Sequence, residues 1–256
     1  MMTIGLIGGL SWYSTVEYYR VINEETQRRL GGHASAKIAL QSLDFAEVRR
    51  YQQLGDWAGA GRLLAEAGRR CQLAGADMIL ICSNLMHKNA EAVATAVDVP
   101  LLHVADAVAR RAVTDGLTKV GLLGSCWVME EDFYLAHLRS AGLEVVVPEP
   151  ADRELADRII FDELTQGLIV DRSRVAYTTI INHLATQGAE AIILACTEIE
   201  LLISPADSPS PSSTQCNSTP KQPSTPPSRP TPPHRRTPHT DSPASENWGW
   251  DWGWVP

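Results

Sequence analysis

Two stretches of the chain run from apolar residues into side chains able to move a proton. Ile79 to Lys88 reads ILICSNLMHK, and Ile192 to Glu198 reads IILACTE. Each follows a Gly-Ala step, Gly75-Ala76 and Gly188-Ala189. A short apolar run bounded by glycine and small polar residues reads as a strand buried on both faces, as in a parallel sheet. Open α/β sheets place their chemistry at the C-terminal ends of such strands. Ser83, Asn84, Cys196 and Thr197 are therefore candidate site residues. A thiol whose pKa is lowered by a helix N-terminus serves as a base near neutral pH, and Cys196 at a strand mouth is placed for that role.

The echo extends further. Thr3 to Gly9, TIGLIGG, is matched by Lys119 to Ser125, KVGLLGS. From Gly5 to Gly75 is 70 residues, and from Gly121 to Gly188 is 67. One unit present twice is the economical reading. It predicts two similar lobes with a cleft between them, able to set two chemically similar groups against opposite faces of a small ligand.

The elements that must position these groups follow from apolar periodicity and glycine stops. The first unit, residues 1–102, reads as strands over 3–7, 37–42, 78–82 and 99–102. Its helices fall over 15–30, within 43–54, over 57–73, and from 84 or 85 to 96. The second unit, residues 103–204, reads as strands over 119–123, 143–147 and 191–195, with helices over 103–112, 129–141, 156–167 and 171–188. Ser11, Ser14 and Thr15 suit capping of the first helix, which leaves backbone N–H groups for an anion. GLIGG is not the GxGxxG of a dinucleotide site, and no acidic residue follows a second strand at the expected distance. Adjacent strand residues face opposite sides, so with Ser83 in the cleft Cys82 belongs to the packing. Cys71 and Cys126 are also read as lying outside the site.

Net charge is −8 and no basic cluster precedes the tail, so nucleic-acid binding has no electrostatic footing. No run reaches the ~18 apolar residues of a membrane span. The first residues, MMTIGLIGGLSW, read as a strand and not as a signal peptide. Five cysteines at unrelated spacings, with no CxxC, suit a reducing compartment, and a cytoplasmic protein is expected. His87, His103, His137 and His183 stand singly, so no metal site is expected. Residues 205–256 hold 13 of the 16 prolines, with Ser and Thr between them, and end in WGWDWGWVP. Such low-complexity sequence cannot bury a core and is expected to be disordered.

Many motifs, in order, resemble the cofactor-independent amino-acid racemases of the aspartate/glutamate racemase family. They are GLIGGLSWYST, LGGHASA, Gly55-Asp56-Trp57, CSNLMHK, LLHVADA, KVGLLGS, EEDFY, IIFDEL and GAEAIILACTEI. The resemblance covers residues 3 to about 204. It implies an α/β fold of two lobes related by a pseudo-twofold, each with a four-stranded parallel sheet, and a homodimer. It implies no pyridoxal or other cofactor, and a small amino acid as substrate. Two groups, usually both Cys, flank the substrate α-carbon in that family. By motif they correspond here to Ser83 and Cys196. The substrate-holding positions fall on the backbone near Leu10 and Ser11, the side chain of Gln52, the Asn84-Leu85 turn, Ser125 and Thr197.

Several residues depart from the pattern. Ser83 replaces a thiol by a much weaker acid, which makes the two faces unequal. Leu85 and Val128 stand where hydroxyls are usual, and an unpaired ligand oxygen costs of order 1 to 3 kcal/mol. After Ile203 the Pro-rich tail replaces the expected last strand and helix. Non-catalytic amino-acid binding on the same fold is the alternative reading, since lobes of this kind serve several substrates.

Overall fold

The computed structural model describes residues 1–204. The Pro-rich tail, with its expected disorder, lies outside the described residues.

The chain opens with β1 (Thr3–Gly8), α1 (Trp12–Leu30), β2 (Lys37–Ser42), α2 (Phe45–Leu54), α3 (Trp57–Leu73) and β3 (Met78–Ile81). A 3₁₀ turn (Leu85–Asn89), α4 (Ala90–Ala96) and β4 (Leu101–Leu102) complete a parallel sheet of order β2-β1-β3-β4. Next come α5 (Val104–Thr114), β5 (Lys119–Leu123), α6 (Cys126–Glu130), α7 (Asp132–Ser140), β6 (Glu144–Val146) and α8 (Pro150–Asp162). Then α9 (Asp171–Thr186), β7 (Ala191–Leu194) and α10 (Ile199–Leu202) follow, and the second parallel sheet has the order β6-β5-β7.

The two lobes repeat one another bond for bond at their central strands. The Cys82 N–H donates to the Ile7 carbonyl at 2.9 Å, and the Ala195 N–H donates to that of Leu123 at 2.7 Å. At the other end the Asp77 carboxylate accepts from the Thr3 N–H, as Glu190 does from that of Lys119. Gly5 and Gly121 occupy matching niches. A Cβ on either would stand 2.6 Å from an isoleucine Cδ1, that of Ile79 or Ile192, so glycine lets each central strand pack against its neighbour. All four residues of β3 and all four of β7 are buried, as expected for strands covered on both faces.

Three differences from the expected elements have local causes. Glu131 is extended at φ −102°, ψ 150°, and breaks the helix expected over 129–141 into α6 and α7. The helix expected from residue 84 opens as a 3₁₀ turn, whose tighter winding carries the chain out of β3. The second sheet has three strands among the described residues where the resemblance implied four. No helix of the described residues is long and apolar enough to cross a membrane.

Gly9 sets the direction in which the chain leaves β1. Its φ is +73°, and a Cβ there would meet the Leu43 carbonyl oxygen at 2.1 Å. Gly9→Ala combines left-handed strain with backbone overlap, and is expected to cost roughly 2 to 5 kcal/mol in urea unfolding. An unchanged midpoint would show that the turn relaxes freely.

Candidate active site

Ser83 lies two residues beyond Ile81, which pairs with Ile7, and Cys196 lies two residues beyond Leu194, which pairs with Leu123. The two residues therefore hold equivalent places in the repeated unit. Both line one cleft. The cleft also brings together Leu10, Ser11, Gln52, Asn84, Leu85, Ser125 and Thr197. Every residue of the predicted site thus lines one cleft.

The β1–α1 turn delivers Leu10 and Ser11. Ser11 is the N-cap residue of α1, yet its hydroxyl makes no cap bond, contrary to the capping expectation. The work inside this turn falls to Thr15, whose Oγ1 accepts from the Gly9 N–H at 2.8 Å and donates to the Ser11 carbonyl at 3.2 Å. The Ser11 and Ser125 hydroxyls are both buried and both lack a partner among the described residues. Since buried hydroxyls are rarely left unpaired, two of them in one cleft mark where a ligand's oxygens would sit.

Asn84 is held from the opposite lobe: its Oδ1 accepts from the Tyr134 hydroxyl at 3.0 Å, which leaves its Nδ2 to donate. Gln52 gives its Nε2 hydrogen to the Met86 sulfur at 3.1 Å and accepts from Arg49 at 3.1 Å. Sulfur is a weak acceptor, so that donor is easily exchanged for a ligand oxygen. Arg49 also covers the Phe161 ring at 3.6 Å, setting a cation directly behind two residues of the wall. Phe45, Ile160 and Phe161 make the wall partly apolar. They come from helices whose orientation toward the cleft no period in the sequence reports.

Cys82 is fully buried with Leu6, Tyr18 and Leu80, on the packing side as strand alternation requires. Cys126 does not line the cleft; its sulfur lies 3.5 Å from the Arg153 carbonyl. Val128 is buried in the core and does not reach the cleft either.

Glu198 is the residue that sequence reading missed. Its carboxylate is 4% exposed and lines the cleft. It accepts from the Cys196 thiol at 3.2 Å, from Thr197 at 3.1 Å and from Ser14 at 3.0 Å. Ser14 also contacts the Thr197 hydroxyl, so α1 of one lobe is tied to the strand mouth of the other. The signal available was a carboxylate two residues past the candidate thiol, but beyond a strand end alternation no longer tells where a side chain points. The expectation that a helix N-terminus lowers the Cys196 pKa is overturned. Burial and then the Glu198 charge push the thiol well above its ordinary value, and the N–H groups of Glu198 and Ile199 only partly oppose this. α10 is a single turn, too short to outweigh desolvation.

The histidines do not stand singly. His87 donates through Nδ1 to the Ser83 carbonyl at 2.7 Å and accepts at Nε2 from the Val104 N–H at 3.2 Å, which fixes its neutral tautomer and braces the Ser83 turn. His103 stacks on His137 and meets the His87 ring edge-on. His103, Asp106 and His137 lie within metal-bridging reach of one another. However, the His103 and His137 rings are parallel at 3.8 Å, so their lone pairs run side by side and do not converge. His137 is already paired with Asp106 at 2.5 Å.

Burial lowers the His87 pKa from 6.5 to about 4. A folded-state pKa below the unfolded one means that the unfolded chain takes up the proton first. The stability linked to this group is therefore complete above pH 6.5 and is lost as pH falls toward 4. Between pH 7 and pH 5 about 2 kcal/mol should go. Urea unfolding of the protein and of His87→Gln at both pH values checks this: the variant should lose most of that difference, and an equal loss in both would place the effect elsewhere.

Residues 7–212 match the family described as Asp/Glu/Hydantoin racemase. The chain belongs to that family. An Asp/Glu racemase assignment from Yersinia pestis is similar at 46% identity, with TM-score 0.76 over 82% of this chain and 92% of that one. An aspartate racemase homologue from Pyrococcus horikoshii OT3 is similar at 34% identity, with TM-score 0.68 over 81% and 91%. The aspartate racemase of Picrophilus torridus shares the fold at 18% identity, with TM-score 0.63 over 81% and 86%. Family membership makes this racemase an isomerase of amino acids, and its two-lobed architecture of parallel sheets is the family's own.

Proposed function

We propose that this racemase inverts the α-carbon of aspartate, glutamate or a closely related amino acid, with Cys196 removing the α-proton from one face and Ser83 serving the other. The observation that carries this is the equivalence of Ser83 and Cys196: two like strands deliver them to one cleft. An α-proton beside a carboxylate is a very weak acid, so the developing enediolate needs donors at its oxygens. The unpartnered hydroxyls of Ser11 and Ser125, the Asn84 amide and the backbone near Leu10 and Ser11 are placed to donate. Thr197 borders the base, Leu85 closes the turn beside Asn84, and Gln52 with Arg49 behind it offers polar groups to an acidic side chain. In this proposal no cofactor takes part, the lobes divide near residue 102, and the protein is cytoplasmic and dimeric. The exposed Trp12, Val16 and Tyr19 on one face of α1 support association.

The test is racemisation of L-aspartate and L-glutamate by purified protein, followed by chiral chromatography. Appearance of either D form is expected. The Ser83 hydroxyl favours a second reading, binding without turnover; it would be adopted if the melting temperature rose with amino acid while no inversion occurred.

A further inference from the structure

We infer that Tyr134 is a positioning residue for the reaction: from the second lobe it fixes the Asn84 amide so that Nδ2 faces the substrate. This rests on the proposed reading of the cleft as an amino-acid site, and adds the group that orients one of its donors. Asn84 holds the N-cap place of the turn Leu85–Asn89, where an asparagine ordinarily accepts from the backbone of its own turn, yet its side chain makes no cap bond. Ser83 takes that task, its Oγ accepting from the Met86 N–H at 3.4 Å. The Asn84 side chain crosses to α7 instead, where its Oδ1 accepts from the Tyr134 hydroxyl at 3.0 Å. Tyr134 is fully buried and Asn84 is buried as well, so the bond is shielded from bulk water.

The helix break at Glu131 aims this hydroxyl. α7 starts directly after it, and its first turn meets the turn of the other lobe at two points. Glu131 pairs with Lys88, whose Nζ also lies 4.5 Å from the centre of the Trp57 ring, and Tyr134 reaches Asn84. Both ends of the segment 84–88 are thus held from one turn of α7. The ion pair fixes the distance between the two segments, and the phenol acts on the amide itself.

The oxygen and nitrogen of an amide have nearly the same size, and their partners decide which of them faces a ligand. A hydroxyl donating to Oδ1 holds that oxygen toward the second lobe and leaves the Nδ2 hydrogens for the cleft that Asn84 lines. There they meet the substrate carboxylate, on which charge collects once the α-proton leaves. In the flipped amide Oδ1 would face that carboxylate, and two acceptors would oppose each other. Because the phenol belongs to the second lobe, the donor is aligned only while the two lobes keep their mutual placement.

The experiment uses the full chain, Tyr134→Phe, Asn84→Ala, the double variant and Glu131→Ala. One readout is kcat/KM for inversion of L-aspartate and L-glutamate. The other needs no substrate: the Asn84 side-chain NH2 signals in proton–nitrogen correlation spectra, assigned by their absence from Asn84→Ala. Asn84→Ala should lose roughly 10²-fold in kcat/KM, and Tyr134→Phe about tenfold. In the Asn84→Ala background Tyr134→Phe should cost less than about twofold more, because a residue that acts through the amide has nothing left to orient. The NH2 pair should be sharp in the unaltered protein and in Glu131→Ala, and broadened or doubled in Tyr134→Phe. A merely structural tyrosine would lower activity by the same factor with or without Asn84. Equal factors in the two backgrounds, an NH2 pair unaltered in Tyr134→Phe, or the same broadening in Glu131→Ala would each overturn the inference. If the unaltered protein inverts neither amino acid, the proposed reaction falls, and the NH2 signals alone decide whether Tyr134 orients Asn84.

Discussion

Cys196→Ser is expected to remove racemisation and α-proton exchange together, by roughly 10³-fold or more, the scale on which a positioned acid–base group contributes. Sulfur is what allows the residue to act as a base at all. Its thiol is held well above the ordinary value by burial and by the neighbouring carboxylate, and a hydroxyl in the same place starts from a far weaker acidity. The substitution is nearly isosteric and keeps a donor to Glu198 Oε2, so the ties to Ser14 and Thr197 should survive. Stability in urea is therefore expected to stay within about 1 kcal/mol. Exchange measured in deuterated water isolates the abstraction step from the delivery step. A Cys196→Ser protein that kept its exchange rate would remove Cys196 from the reaction.

Much of this arrangement was legible in the sequence because its signals are local. Glycine-bounded apolar runs identify β3 and β7, and strand alternation alone separates Ser83 from Cys82. The internal repeat joins the two strand ends in one cleft before any fold is known. What stayed hidden depends on contacts between segments far apart in the chain. Ser14 and Glu198 meet across 184 residues, and Tyr134 reaches Asn84 across 50. Neither pairing leaves a pattern in its own neighbourhood. The sense of the Cys196 shift was misread for a related reason: a helix N-terminus can be inferred from sequence, whereas desolvation of the sulfur and a carboxylate folded back onto it cannot.

The unequal pairing of Ser83 and Cys196 leads to an asymmetry between enantiomers. If Cys196 is the competent base, it takes the proton from one enantiomer only, which the proposal takes to be the L form. The D form would need Ser83 to act as base, and its hydroxyl is occupied as an acceptor from the Met86 N–H at 3.4 Å with no carboxylate bonded to it among the described residues. L-aspartate or L-glutamate should then exchange its α-proton faster than it inverts, because the abstracted proton leaves Cys196 before the weak donor opposite delivers another. Ser83→Ala should lower inversion more than L-side exchange. Ser83→Cys should raise exchange of the D form by roughly 10² or more, as a thiolate becomes available on that face. Cys82→Ala serves as the control: Cys82 packs beneath α1 with Tyr18 and Leu80, and burial drives its thiol far above the ordinary range. Loss of D-side exchange in Cys82→Ala would instead place that sulfur in the cleft as the second base, and the assignment of Ser83 would fall with it.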